Sequence, residues 1–267
     1  MIEELRDKDF PPLLSKRMEA GAADRGQGRY YLTPPFSGGW SDQRLIAQPD
    51  ILDVVARMLG GAKDFVLCQV GVDTPLGGGL SEMQEIHRDC GPLWDDEDMD
   101  EPPPYQLAVN FPLCDVLPAK RGTVDDLGPV EMHRGSHRWT VAQGQQALSW
   151  GGAECEPIYM RAGDVMIRDV RGLHRGTPNY GPHPRPVGVL GYSMHWLRRP
   201  EVGIRVPRDY LHNAEPRVKE LLRFEEVVDA VGPYTGQQEK YGADTLQDAS
   251  GGSFISVSGV ANGNEVK

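Results

Sequence analysis

The chain has 267 residues, of which 39% are hydrophobic and 25% charged, so it has globular composition and enough length to bury a full core. Its net charge of -11 would repel a phosphate backbone, which argues against a nucleic-acid partner. The N-terminal segment is charged, and no apolar run approaches the roughly 18 to 20 residues of a membrane span, so we expect neither export nor membrane insertion.

The numbers of cysteine, glycine and proline residues indicate the cellular setting and the kind of secondary structure. The four cysteines are scattered without a Cys-x-x-Cys pair, so the sequence predicts a reducing, cytoplasmic setting rather than a disulfide framework. The 32 glycines and 22 prolines favour many short strands and turns over long helices.

The first third of the chain predicts helices before strands. Residues 1–48 mix Gly and Pro with charges, and we interpret them as a loosely structured N-terminal arm with one short helix over 13–23. Apolar residues at helical spacing predict a helix over 51–59, with Asp50 as its N-cap and Gly60-Gly61 as its end.

From residue 65 the pattern changes to short apolar runs between turn signals, which predicts strands. Another helix is expected over 207–224, within the 205–225 segment, with Tyr210, Leu211, Val218, Leu221 and Leu222 on one face. The tail 247–267 is rich in Gly, Ser and Asn and is expected to fray. No internal repeat is visible, so we predict one domain over 1–267. The predicted strands are 65–70, 106–112, 130–132, 158–159, 164–167 and 187–196.

Residues 94–104 form an acidic loop, with six acidic residues between Asp95 and Glu101. Such a run is usually a solvated loop. The loop closely follows the His87-Arg88-Asp89 motif described next. The alternative interpretation is therefore that it acts as a lid over a site or attracts a cationic substrate.

The segment His87-Arg88-Asp89 and the later His174 indicate a metal site. Alternate residues of an extended strand point the same way, so His87 and Asp89 can share a cation. Several predicted strands separate them from His174, which gives the chain room to return beside the first pair. Two imidazoles and one carboxylate are the ligand set that holds Fe(II) on one face and leaves other positions open.

Arg185 follows His174 and enters the apolar strand 187–196. A buried guanidinium requires an anionic partner, either a structural carboxylate or a bound dicarboxylate. Its planar fork suits the far carboxylate of a 2-oxo acid co-substrate. The four residues together predict an iron-dependent oxygenase that consumes a 2-oxo acid.

The order of these motifs resembles the phytanoyl-CoA dioxygenase family of Fe(II)/2-oxoglutarate oxygenases, over about residues 50–200. The resemblance implies a mainly β fold with flanking helices around a double-stranded β-helix core, which is a jelly-roll, cupin-like barrel. The segments that carry it are Gln84-x-x-His87-x-Asp89, Gly128 to Trp139 with its Gly135-Ser136-His137, Gly163-Asp164, His174 and Arg185.

The resemblance also implies roles for individual residues. His87, Asp89 and His174 would be the catalytic iron ligands, and Arg185 would bind the distal 2-oxoglutarate carboxylate. Gln84 and Asn110 match positions of further co-substrate contacts. The Gly-Ser-His segment is structural in the family, so His137 is not a proposed ligand.

The sequence departs from the family pattern at two positions, which belong to the barrel wall and not to the metal ligands. Arg134 stands where the family usually has Pro, and Leu127 stands where Asn often precedes Gly128. The carboxylate at Asp89 disfavours halogenation, since halogenating relatives have a small residue there.

The resemblance implies O2-dependent oxidation of a small organic metabolite with release of succinate and CO2, in specialised biosynthesis. Hydroxylation, desaturation, cyclisation and epoxidation stay open, as does a homo-oligomer. Trp94, Tyr105 and Trp196 are candidates for an apolar pocket. The alternatives are a cupin-like metalloenzyme without a 2-oxo acid and a non-catalytic barrel subunit.

Overall fold

The computed structural model describes residues 1–21, 25–61, 64–94, 103–149, 154–197 and 203–230. Residues 95–102 of the acidic loop and the tail 247–267 lie outside the described residues. None of the described helices combines the length and apolar character that a membrane crossing requires.

The larger of two antiparallel sheets has five strands, and every neighbouring pair in it is antiparallel. Its order is not the chain order, because the late strand β8 lies between β2 and β3. In spatial order the strands are β1 (Arg29–Leu32), β2 (Phe65–Pro75), β8 (Val187–Met194), β3 (Gln106–Pro112) and β6 (Met166–Asp169).

One face of this sheet is apolar and forms the core. Leu190 of β8 pairs with Val70 of β2 and Val109 of β3, and all three are buried in one hydrophobic cluster with residues of the flanking helices. Helices of the N-terminal and C-terminal segments pack on this face through apolar side chains such as Val55 and Val218. Helices from both ends of the chain therefore cover the same side of the sheet.

The opposite face of the sheet carries polar and small residues, because successive side chains of a strand alternate between faces. We call it the polar face. It includes Gln69, Gly71, Asp73, Gln106, Ala108, Asn110, Arg168, Gly191 and Ser193, and the strand register places Val189 and Val187 opposite Gly71 and Asp73 on the same face.

A second, three-stranded antiparallel sheet has β4 (Val130–Met132) between β5 (Glu156–Ile158) and β7 (His174–Gly176). Strands β9 (Arg205–Pro207) and β10 (Glu226–Val228) form a separate parallel pair. Among the described residues, no ladder of strand pairs closes the two larger sheets into one barrel. The prediction of a mainly β fold with flanking helices is confirmed.

The helices are short. They are α1 (Ile2–Glu4), a π-helical segment (Leu5–Asp9), α2 (Phe10–Glu19), a 3-10 turn (Gly38–Ser41), α3 (Gln43–Ile46), α4 (Pro49–Met58), a 3-10 turn (Ser136–Arg138), α5 (Val141–Ser149), α6 (Arg208–Asn213) and α7 (Pro216–Leu221).

The expectation of a loosely structured arm over 1–48 is wrong. Helical turns run from Ile2 to Glu19, ahead of the predicted start at residue 13, and β1 lies at the edge of the larger sheet. Leu5, Leu32 and Trp40 are buried in the main core. The Gly and Pro content of this segment marks its turns and a helix start, where Pro is tolerated.

Helix α4 lies where it was predicted, but Asp50 is not its N-cap. The side chain of Gln48 accepts a hydrogen bond from the Ile51 backbone N–H at 2.7 Å, so the helix begins two residues earlier than predicted, at Pro49. Pro suits the first helical position because its missing N–H would have no helical partner there.

The helix predicted over 207–224 is also wrong as a single element. Pro216 divides it into α6 and α7, and the preceding Glu215 is extended, since the residue before a proline disfavours helical backbone. The predicted apolar face survives the break. Val218, Leu221 and Leu222 are buried in the core, and Tyr210 and Leu211 pack against it.

Leu190 tests the assignment of the core. Its side chain is 0% exposed on the central strand β8, so we expect Leu190→Ala to lower the free energy of unfolding by about 2–5 kcal/mol. Leu117→Ala is the control, because Leu117 is 44% exposed and should change stability by less than about 0.5 kcal/mol. Urea unfolding measures both, and equal losses would contradict this description of the core.

Candidate metal centre

The predicted ligands meet where the segment around His87 runs beside β7. The His87 N–H donates to the His174 carbonyl and the His174 N–H donates to the His87 carbonyl, both at 2.9 Å. The Gly176 N–H donates to the Gln84 side-chain oxygen at 2.9 Å, and the Cys90 N–H donates to the Val170 carbonyl at 3.2 Å. Backbone hydrogen bonds thus align two segments that are far apart in the sequence.

His87, Asp89 and His174 bring one ligand atom each within 4.8 Å of one another. Nε2 of His174 lies 3.6 Å from Oδ1 of Asp89, and the two imidazole centroids are 4.4 Å apart. Two imidazoles and one carboxylate in this arrangement form the facial set that suits non-haem Fe(II).

Both imidazoles have their Nδ1 occupied by a backbone carbonyl. Nδ1 of His87 lies 2.8 Å from the Glu85 oxygen, and Nδ1 of His174 lies 3.0 Å from the Gly172 oxygen. A carbonyl only accepts hydrogen bonds, so each neutral ring carries its proton on Nδ1. Nε2 is therefore the unprotonated nitrogen of each neutral ring, the one that can bind a metal, and the bonds at Nδ1 orient the rings.

The protonation states also suit a metal. Burial, reinforced for His174 by the Arg168 charge, lowers the histidine pKa values, that of His174 to about 3. Burial alone would raise the pKa of Asp89, but Arg168 and the two histidines outweigh it and hold that pKa below its usual range. Two neutral imidazoles and one carboxylate are the forms that bind metal ions.

Arg88, between the two ligands, faces away from them. Its Nη2 donates to the carbonyls of Ser136 at 3.1 Å and Trp139 at 3.0 Å. The Ser136 hydroxyl accepts from the Leu173 N–H at 2.8 Å, next to His174. The Gly-Ser-His turn is therefore bonded to both ligand segments, in the structural role that the sequence suggested.

Arg185 is buried, and its guanidinium donates to the carbonyls of Leu127 at 3.2 Å and Gly128 at 2.7 Å. Burial, with the charge of nearby Arg29, lowers its pKa to about 10, so it remains a cation at neutral pH. Within the described parts of the chain it forms no ion pair with a carboxylate.

The two other predicted co-substrate contacts differ in position. The side-chain oxygen of Gln84 is bonded to β7, and its amide nitrogen donates to the Arg25 carbonyl at 3.4 Å. Asn110 is buried on the polar face, and its side-chain oxygen accepts from Nε of Arg168 at 3.2 Å. Asn110 is thereby linked to the metal site, whereas Gln84 links the ligand segments.

Arg168 is the residue that the sequence interpretation missed. Its Nη2 donates to Oδ2 of Asp89, which leaves Oδ1 for a metal. The strand predicted over 164–167 ended just before it, but β6 runs to Asp169 and pairs Arg168 with Ala108. A charged residue in an apolar stretch shortly before His174 was the available signal.

The three predicted pocket aromatics cluster. The Trp94 ring lies 6.4 Å from Tyr105 and 5.9 Å from Trp196, both edge-to-face. Tyr105 is buried, and Trp94 and Trp196 are 37% and 46% exposed. An exposed indole pair therefore lies a few residues beyond the ligand Asp89.

Comparison with known proteins supports the fold. No family model matches the chain. AviO1 from Streptomyces viridochromogenes Tue57 superposes with a TM-score of 0.51 and 18% identity over 72% of this chain and 83% of that one. HygX from Streptomyces hygroscopicus with nickel and 2-oxoglutarate bound gives 0.50 and 14% identity, over 77% and 81%.

A third structure, EvdMO1, gives a TM-score of 0.49 at 19% identity over 72% of this chain, but the match spans only 44% of EvdMO1. At these identities the similarity shows the fold and not the activity. The chain has the jelly-roll core that was expected. Membership of the phytanoyl-CoA dioxygenase family stays a prediction.

The metal ligands can be tested by titration with Co(II). We expect Asp89→Ala to weaken Co(II) binding by more than about a hundredfold, because loss of an outer partner alone costs about 10- to 100-fold. His133→Ala is the control, since His133 lies beside Trp139, with ring centroids 4.4 Å apart, and outside the triad. Isothermal titration calorimetry measures both affinities, and a normal affinity in Asp89→Ala would remove Asp89 from the ligand set.

Arg88 should affect the site without touching a ligand atom. Arg88→Met leaves the Ser136 and Trp139 carbonyls without their donor, so we expect about 1–3 kcal/mol less stability and about tenfold weaker Co(II) binding. Arg134→Met in the same turn is the control, because its ion pair with Glu156 is exposed and contributes little. Equal effects in thermal unfolding and titration would show that the turn does not depend on Arg88.

Proposed function

We propose that the protein is an Fe(II)- and 2-oxoglutarate-dependent dioxygenase that oxidises a small organic molecule. The convergence of His87, Asp89 and His174, with Nε2 as the unprotonated nitrogen of both rings and Asp89 ionised, carries the proposal. This donor set suits Fe(II) and leaves coordination positions for other groups. The fold shared with HygX, a structure with nickel and 2-oxoglutarate bound, supports it.

The residues of the chain prepare the site, and the bound groups supply the redox chemistry. Fe(II), 2-oxoglutarate and O2 together provide the oxidation of a substrate C–H bond, with release of succinate and CO2. His87, Asp89 and His174 hold the metal with protons kept off the coordinating atoms. The backbone bonds between the two histidine residues fix these ligands before the metal arrives, which limits the reorganisation that binding requires.

Arg185 is the proposed partner of the distal 2-oxoglutarate carboxylate. It is a buried cation whose hydrogen bonds go to neutral carbonyls, and Arg29, a second buried cation, lies close enough to lower its pKa. Asp73 pairs with Arg29 at 3.0 Å and so does not serve Arg185 directly. A buried charge without a counter-ion is costly, and a bound dicarboxylate would compensate it.

Asn110 and Gln84 are proposed as weaker co-substrate contacts. Asn110 lies on the polar face next to Arg168, where its amide nitrogen can donate to a bound oxygen. Gln84 would contact the co-substrate only through its amide nitrogen, because its oxygen accepts from Gly176.

The substrate class is a small organic metabolite, and the reaction a hydroxylation, desaturation or cyclisation in specialised biosynthesis. The exposed pair Trp94 and Trp196 supports this class, because two indoles offer apolar area for a ring-shaped molecule. Trp94 lies five residues after Asp89 in the sequence, so one indole of the pair is on the segment that follows the candidate ligand.

The deciding experiment is anaerobic. Purified protein with Fe(II) and 2-oxoglutarate should develop the weak visible metal-to-ligand charge-transfer band of a chelated 2-oxo acid. Arg185→Ala should raise the 2-oxoglutarate concentration that gives half of the band by more than about tenfold, because a charge-assisted contact is lost. Arg175→Ala, which removes an arginine paired with Glu131 next to His174, should leave it unchanged.

Two outcomes would count against the proposal. If folded, iron-loaded protein gives no band, the 2-oxo acid is excluded and a cupin-like metalloenzyme or a non-catalytic barrel takes its place. If the band is normal in Arg185→Ala, the iron and the co-substrate stand but the distal carboxylate is bound elsewhere.

A further inference from the structure

Arg168 has a hydrogen-bond donor with no acceptor beside the candidate metal centre. Its side chain is only 10% exposed. Nε donates to Asn110 and Nη2 to Asp89, but Nη1 is fully buried, and among the residues that the structure describes no acceptor reaches it. A buried guanidinium N–H without a partner is costly, so its presence indicates a ligand.

The strand neighbours of Arg168 offer no side-chain acceptor of their own. Arg168 pairs with Ala108, and Ala108 pairs with Gly191 on the next strand. Neither alanine nor glycine has a side-chain oxygen, so these neighbours cannot satisfy Nη1. The Tyr31 side chain covers Gly71 on β2, so the small residues beside Arg168 are those of β3 and β8.

The rigid guanidinium fixes where the missing acceptor must lie. Nη1 and Nη2 share one carbon, so Nη1 lies within a few ångströms of the Asp89 carboxylate that Nη2 contacts. A metal held by Oδ1 of Asp89 would share that carboxylate with Arg168. The acceptor that satisfies Nη1 would therefore lie near the metal, and an anionic oxygen forms the strongest bond to a guanidinium.

We propose that Nη1 of Arg168 binds the carboxylate of the 2-oxo acid that lies at the metal, while Nη2 holds Asp89 as a one-oxygen ligand. This inference rests on the proposed function and extends it. The two carboxylates of 2-oxoglutarate are then divided between two buried arginines, with Arg168 at the metal and Arg185 at the far end.

Pyruvate separates the two arginines, because it has the carboxylate and oxo group at the metal end but no distal carboxylate. Co(II)-loaded protein is titrated without oxygen with 2-oxoglutarate, pyruvate and propionate, which lacks the oxo group, and binding is followed by calorimetry and the Co(II) absorption spectrum. These readouts do not depend on turnover. The variants are Arg168→Met, Arg168→Lys and Arg185→Met, with Arg175→Met as the matched control.

We expect Arg168→Met to weaken both 2-oxo acids by about 10- to 100-fold, as for loss of one charge-assisted bond. Arg185→Met should weaken 2-oxoglutarate alone, and Arg175→Met neither. Arg168→Lys tests whether weaker binding of the 2-oxo acids results only from loss of the metal. Its ammonium can still pair with Asp89, so Co(II) affinity should stay within about twofold while both 2-oxo acids bind weakly.

Three results would overturn the inference. One is unchanged binding of both 2-oxo acids in Arg168→Met and Arg168→Lys, which would leave Arg168 as a positioning residue for Asp89. Another is an effect on propionate alone, which would assign Nη1 to a carboxylate of the substrate. If Co(II)-loaded wild-type protein binds no 2-oxo acid, the proposed function itself fails, and this inference fails with it.

Discussion

The reciprocal pair of backbone hydrogen bonds between His87 and His174 is the constraint on which the site depends. It places two residues from distant parts of the sequence opposite each other, as in an antiparallel pair. Strand alternation then sends Asp89 to the same side as His87 and sends Arg88 the other way, into the Ser136–Trp139 turn. Ligand geometry is thus set by the backbone, which is stiffer than a set of independent side chains.

The site has an excess of positive charge. Each of two carboxylates on this side of the larger sheet already has an arginine, Arg168 for Asp89 and Arg29 for Asp73. Arg185 remains without a carboxylate among the described residues, and a divalent metal would add further positive charge. Together these are three positive charges, of which a dianion bound between the metal and Arg185 would offset two and a neutral ligand none. The electrostatics favour a dicarboxylate over the ligands of a cupin that needs no co-substrate.

The sequence was sufficient to predict that His87, Asp89 and His174 converge, because the residue types and spacing that indicate them are visible in short segments. A His-x-Asp pair, a later His and a downstream Arg are rare together, and the strand class follows from short apolar runs between turns. Arg168 was missed because its importance depends on register. Only the pairing of β6 with β3 shows that it shares a face with Asn110 and contacts Asp89.

The error over the N-terminal arm has the same origin, because it also depends on contacts between residues distant in the sequence. The arm over 1–48 looked unstructured by composition, yet Leu32 and Trp40 are buried against partners that local sequence does not reveal. Pro216 was readable as a helix break, and its neglect was an error of interpretation rather than a limit of the sequence.

A short stretch of chain connects the proposed substrate contact Trp94 to the candidate metal centre. The residues after Asp89 leave the metal centre through Cys90, which bonds to the Val170 backbone, and reach Trp94 beside Trp196. Tyr105 anchors this stretch, because its hydroxyl donates to the Gly91 carbonyl. Hydrogen bonds thus hold Cys90 and Gly91, and Trp94 lies further along the stretch beside Trp196. In the proposed function, the hydrogen-bonded segments hold the metal ligands, and the chain that follows Asp89 provides contacts that select the substrate.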